Sequence, residues 1–459
     1  MDFYYCSGTE LHNITTMSIK EDIPAVFYDK LSPKGIEAIQ KCKDFVDDWC
    51  LPADELYMKQ ILTDPAKRWK STPEITEKLK AKAKQLGLWN MFLSKHYEQS
   101  PGYTNLEYGL MAQYLGQSFC APEATNTNAP DTGNMEILAK YGSPYHLKTY
   151  FEPLYNGEIR SAFLMTEKGT SSSNALNISC TATLNSDGQY VINGVKWFAS
   201  GAGDPRCSVW LVMCKTGDNK DKPYANHSLL VLDAKAAIAS GRANVARPLS
   251  VIGYDDAPHG HMEVAFNNYV VPKHEMPNVL LAGVGRGFEI IQSRLGPGRI
   301  HHCMRLIGVG QFALKRTAHR ASHRDIFGKP LADRESFLNS YASHKIAIER
   351  CRLLVLNAAH KIDISNAKGA QKEIAMAKIE TPRTIVAIVD WCMQMFGAEG
   401  LSQDTELARM WAHSRIIRIA DGPDEAHLGQ LGRHERKSFK AIDDYFERFA
   451  HRQVSVSKL

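Results

Sequence analysis

No run of roughly 18 uncharged apolar residues occurs in this chain, so it offers no candidate for a membrane-spanning helix. No Cys-x-x-Cys pair occurs either. The ten cysteines are scattered at positions 6, 42, 50, 120, 180, 207, 214, 303, 351 and 392, which argues against a zinc cluster or disulfide framework and for reduced, mostly buried thiols. Lys and Arg number 55 against 50 Asp and Glu, a net charge of +5 over 459 residues with no basic block, so nucleic acid is not an expected partner. A Gly-x-Ser-x-Gly elbow, a Walker loop and a His-Glu-x-x-His pair are all missing. Gly283-Val284-Gly285-Arg286-Gly287-Phe288 lacks the last glycine of a dinucleotide fingerprint, which argues against a nicotinamide site. His319 and His323 are spaced for one helix face but have no carboxylate nearby, so no metal is assigned. The first residues show neither a secretory signal nor a transit peptide, and the chain is expected to stay inside the cell.

At about 150 residues per domain the length suggests about three domains. Residues 1–29 read as an N-terminal extension. From 30 to 155, Ile36, Ile39, Val46, Trp49, Leu86, Leu88 and Met91 recur at helical spacing, predicting an α-helical domain. From 156 to 280 the pattern turns to β: Tyr190-Val191-Ile192 lies between two hairpin signals, Asp187-Gly188 and Asn193-Gly194, and Val209 to Met213 and Leu229 to Leu232 are apolar runs of strand length. The expectation is a compact antiparallel β-barrel. From 281 to 450 helical periodicity returns, with long helices expected over 299–322, 336–364, 370–396 and 424–449, a four-helix bundle. Residues 451–459 form a tail ending in Ser457-Lys458-Leu459, the tripeptide read by the peroxisomal import receptor at a free C-terminus.

Three segments suggest chemistry. An apolar strand through Phe163, Met165 and Thr166 runs into Ser171-Ser172-Ser173, small residues whose backbone N–H groups can converge on a phosphate or ring carbonyl. Trp197-Phe198-Ala199-Ser200 can lay an aromatic ring against a planar cofactor. Asp421-Gly422-Pro423-Asp424-Glu425 crowds carboxylates at a break between helices, where Pro423 and the acids also suit a helix N-terminus.

Together with Leu295-Gly296-Pro297-Gly298-Arg299, Phe327-Gly328-Lys329-Pro330-Leu331 and Gln394-Met395-Phe396-Gly397, these segments resemble the acyl-CoA dehydrogenase family from about residue 30 to 445. The similarity is greatest to the branch acting on long-chain or 4-hydroxylated acyl-CoAs, whose animal members carry a kinase-like domain that this sequence does not contain. The resemblance implies an α+β fold of helical domain, β-barrel and four-helix bundle, bound FAD, an acyl-CoA substrate and a homo-oligomer, dimer or tetramer. By the same resemblance Phe163, Met165 and Thr166 would lie along the isoalloxazine, Phe198, Ala199 and Ser200 on its other side, and Ser171, Ser172 and Ser173 where flavin and substrate meet. Arg324 and Phe327 would hold the pyrophosphate and adenosine half, with Gln394, Gly397 and Ala398 reaching in from a neighbouring subunit. Pro423 and Glu425 would join the cofactor contacts. Gly298 and Arg299, opening a helix, would contact substrate with Ser173 and Arg433.

The resemblance makes Asp421 the catalytic base, at a position where most of the family has Glu, with Asp424 and Glu425 as alternatives. It would take the α-proton of the acyl-CoA while the β-hydrogen leaves as hydride to flavin N5, giving trans-2-enoyl-CoA in fatty acid β-oxidation. Burial against flavin and acyl chain should raise its pKa. A peroxisomal address leaves the electron acceptor open between electron-transferring flavoprotein and O2, the latter as in an acyl-CoA oxidase. A non-catalytic acyl-CoA-binding protein is the remaining reading.

Overall fold

The computed structural model describes residues 19–450 except Leu62, so the extension up to residue 18 and the tail with Ser457-Lys458-Leu459 lie outside the described residues. Five longer helices open the fold: α1 (Pro33–Phe45), α2 (Leu51–Gln60), α3 (Glu74–Leu86), α4 (Asn105–Leu115) and α5 (Asp131–Tyr141). Ser32 caps α1 through Gly35 N, and Thr104 opens α4 in a capping box with Glu107. Glu107 Oε1 also accepts from Ser32 N at 2.9 Å and Oγ at 2.6 Å, so one carboxylate ties two helix starts together. Ile39 and Val46 are buried as their spacing predicts, whereas Ile36 and Trp49 face outward.

Seven strands follow: β1 (Arg160–Leu164), β2 (Thr181–Leu184), β3 (Tyr190–Ser200), β4 (Cys207–Lys215), β5 (His227–Asp233), β6 (Ala243–Leu249) and β7 (His261–Val270). Their sheet runs β1-β4-β2-β3-β7-β6 with β5 on β4, and it is mixed rather than purely antiparallel, because β1 and β2 both pair β4 in parallel. Asp187-Gly188 turns the β2–β3 hairpin as predicted. Asn193-Gly194 does not turn: it lies inside β3 as a bulge against β7. A side chain at Gly194 (φ 147°) would sit 2.8 Å from the Cys180 backbone, so the glycine serves close strand packing.

Period-2 alternation in β4 joins the parts. Trp210, Val212 and Cys214 fill the inner face of the sheet, while Val209, Leu211 and Met213 enter a second core shared by the N-terminal helices and the C-terminal bundle. The two helical regions therefore stand on one core.

The bundle is built on α6 (Gly287–His323), α7 (Glu335–Gly369) and α8 (Gln371–Phe396). At 37 residues α6 is roughly 55 Å long. It begins twelve residues before the predicted 299 and runs straight through Pro297, because buried Leu295, Gly296 and Ile300 hold it against neighbouring helices on both sides of the break. Gly298 and Arg299 are thus mid-helix, not at a helix start. The fourth predicted helix divides: α9 (Leu407–Ile417), which the sequence reading missed, precedes α10 (Asp424–Glu435), and α11 (Phe439–Ala450) follows a 3-10 turn at Arg436–Ser438.

Candidate functional site

Asp421 occupies the turn between α9 and α10 in a left-handed conformation (φ 57°), followed by Gly422 (φ 106°). Two consecutive positive φ values swing the carboxylate back toward α6. There Asp421 Oδ2 lies 3.6 Å from His302 Nε2 and 3.4 Å from where a side chain at Gly298 would begin. Gly298 and His302 are one helical turn apart on the same face, so the glycine provides the gap and the histidine its edge. Arg299 Nε donates to the Asp421 carbonyl at 2.9 Å, and His427 Nε2 lies 3.3 Å from the same oxygen. Lys378, buried in α8, donates to the Ile417 and Gly422 carbonyls. The turn is pinned from three helices.

Two further features belong to this arrangement. Arg299 Nε is turned onto the loop backbone, where it positions Asp421. The Asp421 carboxyl lies below its ordinary pKa: burial pushes it up, but His302, Arg294, Arg299 and Lys378 together outweigh that. His302 is itself pushed down to about 4, chiefly by burial, so at neutral pH it faces Asp421 as a neutral ring. The other two carboxylates of the segment lie apart from the gap. Asp424 is buried against Arg383 Nε and Arg418 Nη2, both at 2.8 Å, and Glu425 points to solvent. Pro423 is the N-cap of α10, as its position suggested.

Arg294 connects this turn to the sheet. One of the cations acting on Asp421, it lies 4.0 Å from the centre of the Phe163 ring in β1 and donates to Asn134 Oδ1 at 3.1 Å. Beyond Phe163, Met165 and Thr166 are half-buried, and Trp197 N donates to Thr166 O at 2.9 Å. The lock behind them is an ion pair that sequence reasoning did not single out. Lys196 Nζ lies 2.7 Å from Glu167 Oε1 and also donates to Met165 O, with both side chains almost fully buried. Glu167 further accepts from Ser179 N, Ser179 Oγ and Cys180 N. Its satisfied lone pairs explain why a buried carboxylate stays ionised here.

Phe198 is the strained member of the set, with φ 51° and 37% exposure, packed edge-on against Trp197. A bulky residue held at positive φ with its ring presented outward marks a functional constraint. Ala199 is buried, and Ser200 Oγ lies 2.8 Å from His261 Nδ1. Ser171 and Ser173 are exposed, while Ser172 Oγ accepts from Glu167 N.

The second predicted group gathers at the far end of α6. Arg324 Nη1 donates to Phe396 O at 3.0 Å within the same chain, and Gly397 is adjacent to that guanidinium. Arg324 and the segment 394–398 thus stand together in one chain. Arg316, His319, Arg320, His323 and Arg324 line a cavity of about 370 Å³ with Phe396 and Glu399, and the buried Arg320 Nε has no partner. Phe327-Gly328, both at positive φ, turn the short hairpin Asp325–Ile326 with Lys329–Pro330, leaving Phe327 97% exposed beside it. Gln394 and Ala398 are exposed at the same end, and Arg433 is exposed on α10. His302 and His323 are 21 residues apart in α6, roughly 31 Å.

Of the residues that matter at Asp421, His302, Arg294, Lys378 and His427 were not foreseen. Helical spacing from Gly298 would have pointed to His302.

Family models match residues 162–268 as an acyl-CoA dehydrogenase middle domain and 285–435 as an acyl-CoA dehydrogenase C-terminal domain. The probable acyl-CoA dehydrogenase IBR3 of Arabidopsis thaliana is 43% identical over 88% of this chain and 50% of its own length, and acyl-CoA dehydrogenase family member 11 of Gallus gallus is 44% identical over 89% and 51%. The chain thus spans about half the length of these relatives. The probable acyl-CoA dehydrogenase FadE2 of Mycobacterium tuberculosis is 41% identical over 88% of this chain and 96% of its own. A solved putative acyl-CoA dehydrogenase from Mycobacterium abscessus superposes with a TM-score of 0.82 at 38% identity, covering 89% of this chain and 99% of that one. Motif order, the carboxylate turn over α6 and these matches together place the chain in the acyl-CoA dehydrogenase family of oxidoreductases.

Proposed function

We propose that this chain is an FAD-dependent acyl-CoA dehydrogenase in which Asp421 removes the α-proton of the acyl thioester. The observation that carries the reading is the Asp421 carboxylate held over the Gly298 gap, with Arg294 linking it to Phe163. The residues fit the cofactor: a presented aromatic at Phe198 stands beside Met165 and Thr166, and the cavity at Arg320 and Arg324 supplies cations for a pyrophosphate. When bound, FAD supplies the hydride acceptor.

Asp421 takes the proton on a side-chain oxygen facing the gap. Arg299, His427 and Lys378 hold the turn backbone so that the carboxylate needs no reorganisation at the moment of transfer. Neutral His302 can orient Oδ2 without a full countercharge. An acyl chain laid over the gap excludes water from a side chain now 20% exposed and raises its basicity. A dinucleotide whose ring lies beside Phe198 and Asp421 cannot also reach Arg324 of the same chain, so that cavity serves the cofactor of a neighbouring copy in a homo-oligomer.

A peroxisomal address through Ser457-Lys458-Leu459 belongs to the same proposal and favours O2 as acceptor over electron-transferring flavoprotein. The test is anaerobic bleaching of the bound flavin by a panel of acyl-CoAs. Asp421→Asn is expected to retain FAD and lose bleaching by about 10²–10⁴-fold. Bleaching by the variant at the unaltered rate would remove Asp421 as the base. Rapid reoxidation in air with peroxide formed would select the oxidase reading, and an unbleached wild-type flavin across the panel would leave only acyl-CoA binding.

A further inference from the structure

Every residue from Arg436 to Ala450 is exposed, although α11 carries a strongly amphipathic sequence. Phe439, Ile442, Tyr445, Phe446 and Phe449 are 45–64% exposed on one side of it. The extensive neighbour of α11 among the described residues is the turn before it. A helix of 12 residues is marginal in water on its own, so this one requires a partner for its apolar face. The helix also lies beyond residue 435, where the family match ends.

We propose that this face is closed by the same face of a second copy of the chain, packed antiparallel across a two-fold axis. The apolar positions 439, 442, 446 and 449 are spaced three, four and three, a pattern that reads identically in both directions. An antiparallel pair therefore sets Phe439 against the partner's Phe449 and Ile442 against the partner's Phe446, which is what an isologous contact requires. The area is sufficient. Half-exposed aromatics leave about 100 Å² each, so the face offers about 500 Å² per copy and a pair buries about 1,000 Å², the lower bound for a specific interface. The polar side carries Asp443, Asp444 and Glu447 against Lys440 and Arg448, whereas a helix lying on anionic lipid is rich in Lys and Arg.

The experiment is sedimentation of the full-length, flavin-loaded protein over a concentration series. Phe446→Glu is expected to halve the assembly mass at concentrations where wild type is assembled, weakening association about 30-fold or more, with the far-ultraviolet circular dichroism unchanged. Phe446→Leu keeps the mass. Ile442→Cys/Phe446→Cys is expected to cross-link between copies on oxidation, while neither single cysteine variant does. An unchanged mass for Phe446→Glu overturns the proposal and points to cover by a terminal segment of the same chain. Cross-linking by Phe446→Cys alone overturns the antiparallel pairing. Wild-type binding to phosphatidylcholine–phosphatidylserine vesicles that Phe446→Glu abolishes overturns it in favour of lipid.

Discussion

Glu136, in α5, is expected to make the protein less stable as pH rises, and Glu136→Gln should remove that dependence. Its side chain is buried, and Oε2 has no hydrogen-bond partner. The nearest cations are committed elsewhere: Arg294 donates to Asn134, and Lys140 to Ser293. Burial therefore prevails and pushes the carboxyl from 4.5 up to about 8. The unfolded chain ionises near 4.5 and the folded one near 8. The favourable contribution of the neutral acid is complete below the lower value and lost progressively up to the higher. The full span is equivalent to a ceiling of roughly 5 kcal/mol, of which local opening and water entry leave about 2–3. Glutamine keeps the shape and cannot ionise. Urea denaturation of both proteins between about pH 5 and pH 8.5 should show similar midpoints at the acid end and a growing advantage for Glu136→Gln toward the alkaline end. Parallel pH profiles, or a variant less stable at the alkaline end, would refute a neutral, unpaired Glu136.

Because Asp421 is held below its ordinary value, the free enzyme keeps its base ionised; kcat/KM should show no acid limb down to about pH 5, and one between about pH 6 and 8 would contradict the geometry around it. Lys196→Met leaves Glu167 buried without its countercharge and should cost about 3–5 kcal/mol in thermal unfolding while loosening FAD retention; a silent substitution would mean the ion pair does not hold the Met165–Trp197 crossing. Gly422→Ala would force a methyl to 2.8 Å from His427 Nε2 at φ 106°, so a loss of about 1–3 kcal/mol is expected, with turnover falling as the turn shifts. Calorimetry and steady-state rates check both effects.

The sequence carried most of the fold because its signals were local. Apolar runs of strand length marked β4 and β5, and Asp187-Gly188 marked the β2–β3 hairpin. What it concealed depended on packing. Asn193-Gly194 has the composition of a turn, yet the approach of Cys180 makes it a bulge. Pro297 reads as a helix start, yet helices on either side carry α6 across it, and with the start misplaced the one-turn relation of Gly298 to His302 was lost. Asp421-Gly422 was legible as a pair. Its pKa was not, since Arg294, Lys378 and His302 lie between 43 and 127 residues away in sequence. Arg299 is the instructive case: the resemblance suggested a substrate contact, and the structure shows its Nε donating to the Asp421 carbonyl.

One chain carries the Asp421 turn near the start of α6 and the Arg324 cavity at its end, and this separation has a genetic signature. If the cavity holds the cofactor of another copy, each complete site combines Asp421 from one subunit with Arg324 from its neighbour. Chains carrying Asp421→Asn and chains carrying Arg324→Glu should each be inactive alone, the first for want of a base, the second for want of a phosphate clamp. In a mixed pair one site unites both defects and the other unites both intact residues. Random pairing of equal amounts yields half mixed pairs, each with one working site of two, so co-expression should restore about a quarter of wild-type turnover. Cofactor binding within a single chain predicts none, because every site would then contain one defect. Turnover per subunit in the co-purified mixture distinguishes the two. An inactive mixture that demonstrably contains mixed pairs would refute the shared site and require a cofactor path along α6 that its length does not provide.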